Sequence, residues 1–200
     1  VTDLVVAATG TANLASVWSA LERLGARPVL ARGPEDVRAA RRIVLPGVGT
    51  FRAAMEQLAR DGLVDALRAH AAERRPTLAV CLGFQLLFET SAESPGVDGL
   101  GVWARSIDAL PAGMRCPHLG WNAVEPSAGC RWLRPGEAYF AHSFWAKPNR
   151  ELPSSATTTY GEPFVAAIED GGILATQFHP ELSGPWGLAL LRAWLEAESC

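Results

Sequence analysis

Charge of one sign is scarce in this sequence. Its 200 residues carry 18 Lys and Arg against 21 Asp and Glu, a net charge of −3, and no five like charges follow one another. That balance argues against a nucleic-acid partner, which needs a basic face to neutralise phosphates. Long apolar runs are missing too: none reaches the roughly 18 residues of a membrane span. The first residues read as an apolar strand rather than a basic segment leading into an apolar one, and the expectation is a cytoplasmic protein. Cysteine is sparse. Cys81, Cys116, Cys130 and Cys200 show no paired spacing, which argues against a disulfide framework in a chain this long. Cys116-x-His118 is one short pair of metal-type donors without a second, which argues against zinc. Phosphate-cradling signatures are also absent. Gly47-x-Gly49 has Arg52 where a dinucleotide fingerprint places its third glycine, and no P-loop pattern occurs.

What the sequence does have is ordinary globular composition, 48% hydrophobic and 20% charged. A chain of this length buries roughly 70% of its unfolded surface, enough for one domain over residues 1–200. Its first half alternates strand and helix. Leu4–Ala8, Pro28–Ala31, Ile43–Leu45 and Thr77–Val80 read as strands. Helical patterns cover Asn13–Leu24 (Asn13 as N-cap, Gly25 after the end), Pro34–Ala40, Phe51–Leu58 and Leu63–Arg74. A further helix, Leu82–Glu89, follows the fourth strand directly. Strands this apolar between helices imply a parallel sheet covered on both faces. The second half is punctuated by Gly and Pro. Val102–Leu110, Trp121–Val124, Ala138–Ala146, Thr157–Tyr160, Phe164–Glu169 and Ile173–Gln177 read as short strands with hairpin-length joins, and Gly187–Glu198 as a closing helix. The expected fold is α/β: a mixed, mostly parallel sheet flanked by helices, with antiparallel strands in the C-terminal half.

One corner carries chemistry. In 77-TLAVCLGFQLLFE-89, Cys81 stands between a strand and a helix with no loop residue to spare. A thiol there projects from the carboxyl edge of the sheet, where open α/β sheets bind ligands, and sits at a helix N-terminus, which favours a thiolate. Ala79-Val80-Cys81-Leu82-Gly83 resembles the G-x-S-x-G elbow of hydrolases with only its second glycine. The competing reading is a buried core cysteine. Four histidines are candidate bases. His70 lies among Arg68, Glu73 and Arg74, a surface helix position; His118 precedes a strand; His142 lies within one; His179 ends one and is followed by Pro180-Glu181. A Cys–His–Glu set orders itself as nucleophile, base and orienter, although a carboxylate capping a strand end is also common. Pro46-Gly47-Val48-Gly49 is either a plain turn or a loop whose N–H groups meet an anion.

Taken together, 77-TLAVCLGFQLLFE-89 and 177-QFHPE-181 resemble the class I (triad) glutamine amidotransferases. The segments 13-NLASVWSALERLG-25, 44-VLPGVGTFRAAM-55, 117-PHLGWNAV-124, 139-YFAHSF-144 and 176-TQFHPELSGPWGLALLRAWL-195 narrow this to the glutaminase subunits of imidazole glycerol phosphate synthases. The resemblance implies a flavodoxin-like fold and hydrolysis of glutamine to glutamate and ammonia. It implies Cys81 as nucleophile, His179 as base and Glu181 as its orienter. It places an oxyanion on the N–H of Leu82 and the Val48–Gly49 peptide, and glutamine on Gln85, Gly49, His142, Ser143 and Phe144. It implies a TIM-barrel cyclase as partner, met at Asn13, Trp121 and Tyr139, and no metal or organic cofactor. Three positions depart from the family pattern: Ala12 for Gly, Phe84 for Met and Leu182 for Lys. The alternatives are a glutaminase of another class I amidotransferase, or an inactive regulatory relative of the same fold.

Overall fold

The computed structural model describes residues 3–9 and 14–197. In chain order its strands are β1 (Asp3–Val6), β2 (Arg27–Leu30), β3 (Arg42–Leu45), β4 (Thr77–Val80), β5 (Phe88–Ser91), β6 (Trp103–Ala109), β7 (His118–Pro126), β8 (Gly136–His142), β9 (Phe144–Trp145), β10 (Ser154–Tyr160), β11 (Glu162–Asp170) and β12 (Ile173–Thr176). Its helices are α1 (Leu14–Arg23), α2 (Pro34–Ala39), α3 (Phe51–Arg60), α4 (Val64–Ala72), α5 (Leu82–Leu86) and α6 (Gly184–Glu196), with a 3-10 turn over Pro180–Leu182.

Nine strands form one sheet in the order β2-β1-β3-β4-β12-β11-β10-β7-β8. The first five run parallel; β11, β10, β7 and β8 join antiparallel. Strands β3, β4 and β12 are buried throughout, as strands covered on both faces must be. Alternation along the strands builds two cores. Val5, Ile43, Leu45 and Ala79 pack under α2 to α5, whereas Leu4, Val6, Val44, Leu78 and Val80 pack under α1 and α6. Among the described residues no helix is long and apolar enough to cross a membrane.

Several element ends shift from the sequence reading, among them that of β7, which takes in His118 where a position before the strand was expected. Two differences change the elements themselves. The helix expected over Leu82–Glu89 stops at Leu86, and Phe88–Ser91 is strand. The segment after Gly99 takes the carbonyls that would continue the helix: Leu100 N–H donates to Leu86 O and Val102 N–H to Leu87 O. Phe88 then pairs with Trp103 in a three-stranded sheet, β5-β6-β9. The single strand expected over Ala138–Ala146 is two. Beyond Ser143 the chain leaves β7 and pairs Phe144 and Trp145 with Ala109 and Asp108 of β6. His70, expected at a surface, is buried in α4 against the Pro76 carbonyl. Flanking charges misled that reading: Arg68 lies on an exposed face of α4, and Glu73 and Arg74 lie past its end.

Candidate active site

The sheet brings the corner and the histidine together through β4 and β12, which are parallel neighbours. Chains that leave adjacent parallel strands at the same edge place their next residues side by side. Cys81 leaves β4 with φ 54° and ψ −106°, a conformation rare for any residue but glycine. Three constraints hold it there. Cys81 N–H donates to Thr176 O at 2.8 Å, Gln85 N–H reaches back to Cys81 O at 3.2 Å, and α5 is pressed against β3. A Cβ on Gly83 would lie 1.8 Å from Leu45 O, so only glycine permits that approach. Strain of this kind persists where the surroundings over-determine it, and it gathers at functional sites.

His179 hydrogen-bonds through its ring to Cys81. Its Nδ1 meets Glu181 Oε1 at 2.9 Å, with both side chains almost wholly buried. A carboxylate at Nδ1 sets the tautomer and favours the imidazolium. Burial pulls the His179 pKa down, but the hydrogen bonds and charges of Cys81 and Glu181 outweigh it and push the imidazole up to about 10. At neutral pH the ring is therefore protonated and faces sulfur. Cys81 Sγ also lies 3.7 Å from Ala141 O. This arrangement is suited to attack by a thiolate on a carbonyl carbon, with a proton held ready for the leaving group.

The space in front of Cys81 is a cavity of about 210 Å³, smaller than the roughly 300–1,000 Å³ of drug-sized pockets. Its lining includes Val48 and Gly49, then Cys81, Leu82 and Gln85, then His142, Ser143 and Phe144, with Glu93 and Leu119 from two further stretches. Gln85 Nε2 donates to Phe144 O and to Gln177 Oε1, each at 3.0 Å. Both its N–H groups are thereby used, leaving its carbonyl oxygen as the group able to accept from a ligand. Leu82 N–H donates to Gly47 O at 3.3 Å, so in this conformation the first N–H after Cys81 is met by the glycine loop itself. Thr9 Oγ1 fixes that loop from behind by donating to Pro46 O at 3.0 Å.

Trp121 and Tyr139 stand outside the cavity as a ring pair 6.1 Å apart, on adjacent strands β7 and β8. Trp121 is 54% exposed, and the neighbouring Leu119 and Leu182 are exposed as well. Asn13 and Ala12 lie outside the described residues. Phe84 turns into the core against Phe88, ring centroids 5.1 Å apart, and does not line the cavity.

Sequence reasoning passed over three groups. Glu93 brings the cavity its carboxylate, fixed by Phe51 N–H at 2.6 Å. Gln177 backs Gln85 and approaches Cys81 Sγ at 4.0 Å. Ser183 ties the His179 segment to β8: its Oγ donates to His179 O at 2.6 Å and accepts Tyr139 N–H at 3.0 Å. Only Gln177 had a signal, its place in the QFHPE run; the other two owe their roles to contacts between distant segments.

Comparison with known proteins agrees with this geometry. A family model described as "Glutamine amidotransferase class-I" matches residues 13–196, and a solved structure titled "Crystal structure of glutamine amidotransferase" shares the fold with a TM-score of 0.78 at 22% identity, covering 97% of each chain. The chain belongs to the class I glutamine amidotransferase family. Within it, the chain is 42% identical to the "Imidazole glycerol phosphate synthase subunit HisH" of Moorella thermoacetica, over 92% of this chain and 89% of that one. It is equally 42% identical to the subunit of the same name from Salmonella typhimurium, over 97% and 99%.

Proposed function

We propose that the chain is the glutaminase subunit of an imidazole glycerol phosphate synthase in histidine biosynthesis. It hydrolyses L-glutamine to glutamate and ammonia and hands the ammonia to a separate cyclase subunit. There the ammonia and the phosphoribulosyl nucleotide PRFAR give imidazole glycerol phosphate and AICAR. The observation that carries this reading is the strained corner of Cys81 facing a His179–Glu181 pair across a cavity of amino-acid size.

In this reading the Cys81 thiolate adds to the glutamine side-chain carbonyl carbon, and the carbonyl electron pair moves onto oxygen. Collapse of that adduct breaks the C–N bond. His179 gives its proton to the departing nitrogen, which leaves as ammonia, and a γ-glutamyl thioester remains on Cys81. His179, now neutral, takes a proton from water as the water attacks the thioester. Glutamate leaves, and thiolate and imidazolium are restored. Glu181 holds the ring and stabilises its charge throughout. Gln85 and Glu93 offer acceptors to the amino-acid end, and Ser143 and Phe144 offer backbone. The N–H groups of Leu82 and of the Val48–Gly49 peptide receive the oxyanion, each such donor being worth roughly 3 kcal/mol.

Leu82 N–H is already bound to Gly47 O. The loop must therefore shift before that donor serves, and the lone chain is expected to turn over glutamine slowly. Leu119, exposed in the cavity lining, and the exposed Trp121 and Leu182 suit a partner that would make this shift. Leu182 makes an apolar contact where a lysine would make a charged one. Glutamate release, measured with and without a cyclase and its nucleotide ligand, tests the reading. Cys81→Ser is expected to lower the stimulated rate at least about 10³-fold. An unchanged rate refutes the assignment of Cys81, and affinity capture that returns a different synthase refutes the cyclase.

A further inference from the structure

Two buried imidazoles, His142 in the cavity wall and His118 behind it, are not used by the chemistry above. His142 ends β8, and His118 begins β7 opposite it. Four polar contacts run through them in line. Asn122 Nδ2 donates to Thr159 O at 2.7 Å; Asn122 Oδ1 lies 2.9 Å from His118 Nε2; His118 Nδ1 lies 3.1 Å from His142 Nε2; and His142 Nδ1 lies 2.9 Å from Phe144 O.

Both ends of this line are carbonyl oxygens, which only accept. Phe144 O therefore requires a proton on His142 Nδ1. Thr159 O takes the Asn122 amide, which turns Oδ1 toward His118 and requires a proton on His118 Nε2. The contact between the rings needs a third. Two neutral imidazoles hold two ring protons between them, one each. Turning the Asn122 amide over only moves the shortfall to Thr159, where two oxygens would then face each other.

We infer that His118 and His142 bind one shared proton on this line, and that through it His118 and Asn122 are positioning residues for the cavity wall at Phe144. The effect on substrate rests on the glutaminase reading; the proton does not. Phe144 O also accepts from Gln85, so completing the line fixes that carbonyl from two sides.

Aromatic faces favour a proton on the pair, and burial opposes it. His118 stacks on Tyr160 at 4.0 Å and on Phe140 at 5.2 Å, ring faces that attract a cation. Phe164 closes on both histidines. The titratable groups that face the pair are few. Tyr160 gives its hydroxyl to Arg115 O, His179 repels charge on His142, and Cys81 and Glu93 line the cavity beside His142. Burial pulls His118 below the ordinary histidine value against the pull of Asn122. Burial and the charge of His118 take His142 down to about 3. Rings coupled this closely titrate as a pair. The shared proton is thus taken up below the ordinary value of 6.5. Above it the line is one donor short, and one of its ring contacts is left without a proton.

The test uses the full chain labelled with [15N]histidine, following ring-nitrogen shifts from about pH 8 to about pH 5, together with the KM for glutamine over the same range in the chain stimulated by its cyclase. Expected is one step for one proton, sensed by both rings, with KM rising about three- to tenfold as the proton is lost and the pH limb of kcat unmoved. Asn122→Asp, whose carboxylate favours the protonated pair, should carry both steps to higher pH. Asn122→Leu should abolish the KM step. Rings that titrate independently, or an Asn122→Asp chain whose step stays where it was, overturn the inference. A shared ring step in a chain without glutaminase activity upholds the proton and overturns the glutaminase reading instead.

Discussion

The two halves of the sheet hold the cavity in different ways. On the parallel side, backbone crowding does the holding. Cys81 is fixed at a positive φ because α5 leans on β3 across a glycine that admits no Cβ. On the antiparallel side, side-chain hydrogen bonds do it, through His118, Asn122, His142 and Ser183. Contacts of the first kind do not depend on pH and leave little slack. Those of the second kind are individually modest, about 1 kcal/mol each, and some depend on protons. A nucleophile needs the first kind, since its aim must be constant. A wall that meets substrate and partner can use the second.

Glycine substitutions probe this contrast at its largest. Gly83→Ala would place a methyl 1.8 Å from Leu45 O, a backbone atom with nowhere to go. It is expected to cost about 3 kcal/mol or more in urea unfolding. Gly120→Ala, in β7, meets nothing within 4 Å and strains only its own φ of +150°, so about 1–2 kcal/mol is expected. Equal losses at the two sites would erase the distinction.

A smaller effect is expected at the seam. Ser183→Ala removes one hydroxyl that joins His179 O to Tyr139 N–H. The expected loss is about 1–2 kcal/mol of stability, with kcat for stimulated glutamine hydrolysis falling about tenfold and KM little changed. A change confined to stability would remove Ser183 from the positioning of His179.

The smallest effect concerns acid. His142 is pulled down to about 3 and His70 to about 4, chiefly by burial. Both are depressed in the folded chain, so the unfolded chain binds more protons once the pH drops below the ordinary histidine value. Stability from both is full above that value and is lost as pH falls toward 4 and 3. His70 is an exception to pH-independence in the parallel half, as is His179 at the end of β12. His70→Leu should therefore remove part of the acid sensitivity of the urea midpoint, leaving the share that belongs to His142. A midpoint in His70→Leu that falls as steeply as in the parent would place all of the sensitivity elsewhere.

The same division decides what could be read from the sequence. Apolar runs separated by 3.6-period segments announced β1 to β4 and the helices between them, because burial on both faces leaves a plain periodic mark. The corner at Cys81 and the pair His179-x-Glu181 were candidates from their positions at strand ends, and only the resemblance to a family chose the catalytic reading over the structural one. The seven residues expected to meet an oxyanion or glutamine come together around one cavity, though their resemblance to a family supplied most of that list. What stayed hidden came from contacts between distant segments. The end of α5 is set by carbonyls captured from residues 100–102. The break at Ser143 is set by a change of partner strand. Glu93, Ser183 and the His118–His142 line depend on which strands become neighbours, and spacing along the chain carries no trace of that.

The bond from Leu82 N–H to Gly47 O can also be put in the language of inhibition. The chain's own carbonyl occupies the donor that an oxyanion would need, at an effective concentration fixed by covalent attachment. On the proposed reading, ground-state glutamine fills the cavity without needing that donor. Saturating substrate is therefore expected to leave the bond in place, and turnover to depend on a movement of residues 46–49.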